Sequence, residues 1–143
     1  MVVEVTPVYA RPIHPAHAML LAFSLPSFLA ALVSDLAYWN TFQIQWSNFS
    51  SWLIAGGLLG SGFAMLWALV DLVRFRRSGS RRPLIYFLAL LAMFVVGFIN
   101  ELVHAKDAWA VMPEGLYLSI VTVLLAFVVS WIGFSGHRRA RYA

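Results

Sequence analysis

Four long apolar stretches constrain this chain more than any other feature of its sequence. They cover residues 18–38, 52–73, 84–104 and 115–135 and contain very few charged side chains. About 20 residues of α-helix cross the hydrocarbon core of a bilayer, and each stretch has that length. Lipid offers no partner for backbone polar groups, so each stretch is expected to be a helix, which satisfies those groups internally. The sequence therefore predicts an all-α integral membrane protein, a four-helix bundle that forms a single domain over residues 1–143.

The composition argues against several classes of soluble protein. Hydrophobic residues make up 62% of the chain and charged residues 11%, whereas a soluble domain carries about 25% charged residues. The chain has no cysteine, which argues against a disulfide-stabilised secreted domain and against thiol chemistry. The sequence also lacks a nucleophile elbow, a phosphate-binding loop and a zinc-protease motif, so it predicts no catalytic residue and favours a non-enzymatic protein.

Arginines are concentrated on one side of the predicted bundle. They precede the first span, separate the second from the third, or follow the fourth: Arg11, Arg74, Arg76, Arg77, Arg81, Arg82, Arg138, Arg139 and Arg141. The opposite side carries a single basic residue of this kind, Lys106. Cytoplasmic loops carry an excess of Lys and Arg, so both termini are predicted to be cytoplasmic. The arginine clusters are expected to bind anionic lipids, which explains the basic charge without nucleic acid.

The second predicted span carries small residues at every fourth position, among them Gly56 and Gly60. Small residues let membrane helices approach one another closely, because lipid provides no hydrophobic drive for their association. Two interpretations of this face remain open. The face packs inside the four-helix bundle, or it forms the seam of a homo-oligomer.

Ionisable residues at the side opposite the arginines form a first candidate site. Charged groups in or beside a span are costly and usually have a partner or a purpose. This group consists of Asp35, Glu101, His104 and Asp107. Glu101 and His104 are three residues apart and share a helix face, a spacing also used in di-iron bundles, although the second copy that such sites need is missing. Asp35, Glu101 and His104 are therefore candidate metal ligands. The alternatives are a hydrogen-bonded network between the third and first helices, or proton handling.

A second candidate site lies on the arginine side and consists of His14, His17, Asp71, Arg74 and His137. Asp71 and Arg74 are three residues apart and are expected to pair, with a histidine of the first helix bonding to Asp71. The functional alternative is a quinone, or a b-type haem between two imidazoles. His17 is the plausible first haem ligand, but His104 lies on the other side and His137 in a glycine-flanked tail. His14, His17, Asp71 and Arg74 are the candidate cofactor-binding residues.

Short motifs follow one another along the chain in a distinctive order. They are Pro12-Ile13-His14-Pro15-Ala16-His17, then Asp35, then Gly56-Gly57 and Asp71, then Asn100, Val103, His104, Asp107, Ala108 and Trp109. In this order and spacing they resemble the four-helix membrane family catalogued as domain of unknown function 2231 (DUF2231), over residues 13–133. Many members carry a further histidine where this chain has Met19. That difference weakens the argument for a bis-histidine haem site in this chain.

The resemblance implies a multi-pass protein of the bacterial inner membrane. In some members it suggests a neighbourhood of periplasmic sugar or aldose dehydrogenases that pass electrons to the membrane. We therefore expect a non-enzymatic membrane subunit or anchor in a redox or respiratory context, with a membrane or periplasmic redox partner. Its cofactor is not determined by the sequence, and haem and quinone are the two candidates. The alternatives are a metal- or proton-linked transport protein that uses Asp35, Glu101 and His104, and a purely structural membrane protein.

Overall fold

A computed structural model describes residues 13–74, 81–106 and 110–135 of the chain. Within these ranges the chain forms four helices: α1 (Pro15–Thr41), α2 (Ile44–Arg74), α3 (Arg82–His104) and α4 (Glu114–Ser135). Each helix is long and apolar enough to cross a membrane. Helices that follow one another in the chain pack together, and α1 also packs on α4, which closes a four-membered ring. The predicted all-α, four-helix membrane architecture is confirmed.

The first two helices extend further than their apolar stretches indicated. Residues 39–51 lie between the first two apolar stretches, and the structure is helical there except at Phe42 and Gln43. The side chains of Asn40 and Thr41 each donate to a backbone carbonyl one turn earlier, at 2.7 Å. Polar side chains that often mark loops are therefore satisfied within the helix. The chain reverses at Phe42, whose left-handed backbone (φ 54°) ends α1.

Large apolar side chains lie both inside the bundle and on its outer surface. Phe28, Ile54 and Leu90 are almost completely buried in the core. Trp52 and Trp131, by contrast, are 79% and 78% exposed. A water-soluble protein rarely exposes apolar surface on this scale. The outer surface therefore suits contact with lipid.

The small residues of α2 are used for packing within the chain. A Cβ added at Gly57 would lie 2.7 Å from the Phe28 ring of α1, and one added at Gly60 would lie 2.7 Å from Oγ of Ser24. A Cβ at Gly56 would meet Phe23 of α1 at 3.8 Å. Of the two interpretations of the Gly56 and Gly60 face, the structure supports packing inside the bundle, because α1 lies against this face.

Candidate functional site

A buried polar network lies at the end of the bundle where α1 turns into α2, which we call the network end. Asp35 of α1 is completely buried. Its Oδ1 atom lies 2.9 Å from Nε2 of His104 in α3, and its Oδ2 atom accepts a hydrogen bond from Oγ of Ser119 in α4 at 2.5 Å. Oγ of Ser50 in α2 lies 3.3 Å from the same histidine nitrogen. Side chains from all four helices therefore meet at the Asp35–His104 pair.

The hydrogen-bond partners determine how protons are arranged in this network. Nδ1 of His104 lies 2.9 Å from the backbone carbonyl of Asn100, and a carbonyl only accepts, so Nδ1 carries a proton. One further proton lies between Nε2 of His104 and Oδ1 of Asp35, on either the imidazole or the carboxyl group. Ser119 donates to Asp35 and accepts from Nδ2 of Asn100 at 2.8 Å. The pair is thus electrically neutral when it holds this single shared proton.

The histidine ring fits against α4 because residue 115 is glycine. A Cβ added at Gly115 would lie 2.9 Å from Cε1 of His104 and 2.8 Å from Cγ1 of Val111. Real Cβ atoms essentially never make contacts this short. Gly115 therefore provides the space in which His104 reaches across to α1.

Glu101 lies at the edge of the network and contacts α2. Its Oε1 atom accepts a hydrogen bond from Oγ of Ser51 at 3.0 Å. Its Oε2 atom, like Oδ1 of Asn100, is buried without a hydrogen-bond partner. Both atoms are acceptors that no donor in the described residues satisfies.

The structure places the three predicted metal ligands in two different settings. Asp35 and His104 bond to each other, whereas Glu101 bonds to Ser51. In the described part of the chain, no three His, Asp or Glu side chains are grouped so that they could share a metal ion. Asp107, the fourth member of the predicted group, lies outside the described residues.

Sequence reasoning missed the serines that complete the network. Ser50 and Ser119 are both almost completely buried, and each contacts the Asp35–His104 pair directly. The sequence contains one weak signal, a hydroxyl residue inside an otherwise apolar helix. Many such serines bond only to their own helix, as Ser24 does, so the signal does not by itself identify a network.

At the opposite end of the bundle, which we call the arginine end, two of the predicted cofactor residues do come together. The rings of His14 and His17 lie 4.8 and 5.9 Å from the ring of Trp67. His17 is buried, and its Nε2 atom lies 2.6 Å from the hydroxyl oxygen of Tyr86 in α3. Its Nδ1 atom is buried without a partner. The tyrosine and the tryptophan were not predicted as parts of this cluster.

The expected ion pair at this end does not form. Among residues 13–74, 81–106 and 110–135, neither Asp71 nor Arg74 makes a salt bridge, and no histidine is hydrogen-bonded to Asp71. Arg74 is the last residue of α2 and is exposed. An exposed ion pair gains little, because water screens the charges and holding two long side chains costs entropy. The spacing of three residues therefore did not produce a contact.

The arrangement around His17 does not resemble a bis-histidine haem site. The partner that faces His17 from α3 is Tyr86, and His14 lies on the same helix end as His17. His104 belongs to the network end, and His137 lies outside the described residues. Within the described ranges, no second imidazole approaches His17 from a facing helix.

Comparison with known proteins identifies the family. The model of a family described as "Predicted membrane protein (DUF2231)" matches residues 13–140. This range includes all four helices and both polar clusters. No curated protein and no solved structure matches the chain. The chain therefore belongs to DUF2231, a family of predicted membrane proteins.

Proposed function

We propose that this chain is a proton-linked membrane protein, in which the Asp35–His104 pair holds a proton and couples its release to opening of the network end. One observation carries the proposal. The pair is buried and joins α1 to α3, and side chains of α2 and α4 contact it. A change in its charge would therefore act on every helix at once.

The physical basis is the cost of an unbalanced charge in an apolar interior. If the pair loses its shared proton, it becomes a buried carboxylate beside a neutral imidazole; if it gains one, it becomes a buried imidazolium beside a neutral acid. Removing the partner of a buried ion costs about 3–5 kcal/mol. Opening of the bundle would let water solvate the charge and lower that cost. Protonation and opening are therefore expected to be linked.

Among the residues that the structure describes, few other ionisable groups surround the pair. Glu101, on the same helix as His104, is the acid whose charge acts on it. From α2 and α4, the groups that contact the pair are the neutral hydroxyls of Ser50 and Ser119. Lys106 and Glu114 pair with each other at 3.4 Å and are exposed. In this part of the chain, Glu101 is thus the acid beside the pair whose charge would act on its shared proton.

The other functions expected from the sequence have weaker support. A metal ion that used Asp35 and His104 would have to displace their mutual hydrogen bond, and Glu101 is bonded to α2. For a redox subunit, Nε2 of His17 is already bonded to Tyr86, and within the described residues no second imidazole faces this histidine from another helix. The arginine excess supports an orientation with the arginine end in the cytoplasm. The resemblance to its family supports the bacterial inner membrane as the location.

The absence of native cysteine allows a direct test of pH-linked opening. We would introduce Val111→Cys, at a position 1% exposed at the network end, and as a matched control Ala110→Cys, at the exposed neighbouring position. Each protein, in lipid nanodiscs, would be labelled with a maleimide between about pH 5 and 9, the range in which histidine titrates. The ratio of the two labelling rates removes the pH dependence of the thiol itself.

We expect the ratio to change about tenfold or more across this range, because an unpaired buried charge is costly. The same ratio should be flat when Asp35→Asn and His104→Gln are combined, since the pair can then neither gain nor lose a proton. If the ratio of labelling rates did not change with pH in proteins that carry only the cysteine substitution, the proposal would be refuted, and no variant of the pair would be needed. An unchanged pH dependence in the combined variant would also refute it.

A further inference from the structure

An open apolar groove of about 500 Å³ lies between α1 and α2 towards the arginine end. Its lining residues are Leu20, Phe63, Leu66, Trp67 and Val70. Leu66 and Val70 are more than half exposed, so the groove faces outward, to the side on which lipid would lie. Its volume falls in the range of small-molecule sites, about 300–1,000 Å³.

The groove leads towards positive charge at the arginine end. Trp67, Val70 and Arg74 are spaced so that they lie along one face of α2. On α1, the His14 ring packs against Trp67 at a centroid distance of 4.8 Å. Arg74 is exposed and has no ion-pair partner in the described part of the chain. The apolar lining therefore leads to Arg74 along α2 and to His14 on α1, and we call these two residues the rim.

Two further features of this end favour a negatively charged ligand. α1 begins at Pro15, directly after His14. The N-terminus of a helix is the positive end of its dipole, so this positive end lies at the rim. Asp71, the acid of α2 at this end, is partly buried, whereas Arg74 is exposed, so the positive charge is the more accessible of the two. The rim therefore complements an anion, and the groove complements a hydrocarbon chain.

We propose that this groove binds one anionic phospholipid of the surrounding bilayer. An acyl chain lies against Leu20, Leu66 and Trp67, and the phosphate lies at Arg74 beside His14. The site is independent of the Asp35–His104 pair, which is at the other end of the bundle. It is more specific than general lipid contact, because it requires both the groove and Arg74.

Native mass spectrometry of the delipidated full-length protein tests the charge requirement. The probes are phosphatidylglycerol and phosphatidylcholine with identical acyl chains, titrated separately. We expect tighter binding of phosphatidylglycerol, and about fivefold weaker binding of it after Arg74→Gln, since one cationic side chain near the surface contributes about 1 kcal/mol. Arg81→Gln, at an exposed arginine of the same end immediately before α3, is the matched control and should leave both affinities unchanged.

A second pair of variants tests the groove. Leu66→Trp should fill it and weaken binding of both lipids, whereas Leu124→Trp, at a similarly exposed position of α4, should not. Equal affinity for the two lipids would overturn the proposal, as would an equal effect of Arg74→Gln and Arg81→Gln. Unchanged lipid binding by the Leu66→Trp protein would overturn it too. So would the finding that the added lipid displaces a native isoprenoid quinone, rather than a phospholipid, from the groove. The combined Asp35→Asn and His104→Gln variant should bind phosphatidylglycerol normally, which separates this test from that of the proton-linked function.

Discussion

Replacement of Gly115 by alanine should disrupt the Asp35–His104 pair without changing any residue of the network. The added Cβ would lie 2.9 Å from Cε1 of His104, whereas carbon atoms attract each other best at about 3.5–4.0 Å. The ring is held on both sides, by the Asn100 carbonyl at Nδ1 and by Asp35 at Nε2, each at 2.9 Å. It therefore cannot move away from α4 without lengthening at least one of these hydrogen bonds.

The expected loss of stability follows from two contributions. Overpacking of a filled interior costs about 1–3 kcal/mol. A hydrogen bond to a charged group contributes about 1.5–3 kcal/mol, and it would be weakened rather than removed. Val111 must shift as well, since its Cγ1 atom would lie 2.8 Å from the new methyl group. We expect the Gly115→Ala protein to be less stable by about 3 kcal/mol.

Reversible unfolding in mixed micelles, followed by circular dichroism, would measure this loss. The matched control is Gly56→Ala, because its Cβ would meet only the Phe23 ring at 3.8 Å, an ordinary contact. That variant should be as stable as the native protein or up to about 1 kcal/mol more stable. If Gly115→Ala were as stable as Gly56→Ala, His104 would not be confined between α4 and α1, and the account of the network would be wrong.

Two other substitutions test the packing and the surface in the same unfolding assay. Gly57→Ala should lower the free energy of unfolding by about 1–3 kcal/mol, because its Cβ would lie 2.7 Å from the buried Phe28 ring. Stability equal to that of Gly56→Ala would contradict the close α1–α2 contact. Glu114→Gln removes the exposed pair with Lys106 and should change stability by less than about 0.5 kcal/mol. A loss well above about 1 kcal/mol would show that this ion pair is not a simple surface contact.

The sequence predicted where the network lies better than it predicted which residues form it. Asp35 and His104 stood out because an ionisable group in an apolar stretch is costly and therefore conspicuous. Ser50 and Ser119 did not stand out, because a serine can satisfy its hydroxyl on its own helix. Asp71 and Arg74 had the spacing of a helical ion pair but do not form one, since spacing says nothing about how far an exposed arginine extends away from its helix.

By itself, the sequence determined that the chain forms four membrane-spanning helices, because apolar length is a local property that any helix in lipid must satisfy. Only the tertiary structure decided that His104 meets Asp35, 69 positions away in the chain. The reason is that the helices are apolar on nearly every face, so hydrophobic periodicity does not indicate how each one is rotated. That rotation is set by contacts between helices, such as Gly57 against Phe28 and Gly115 against His104, which exist only once the bundle has formed.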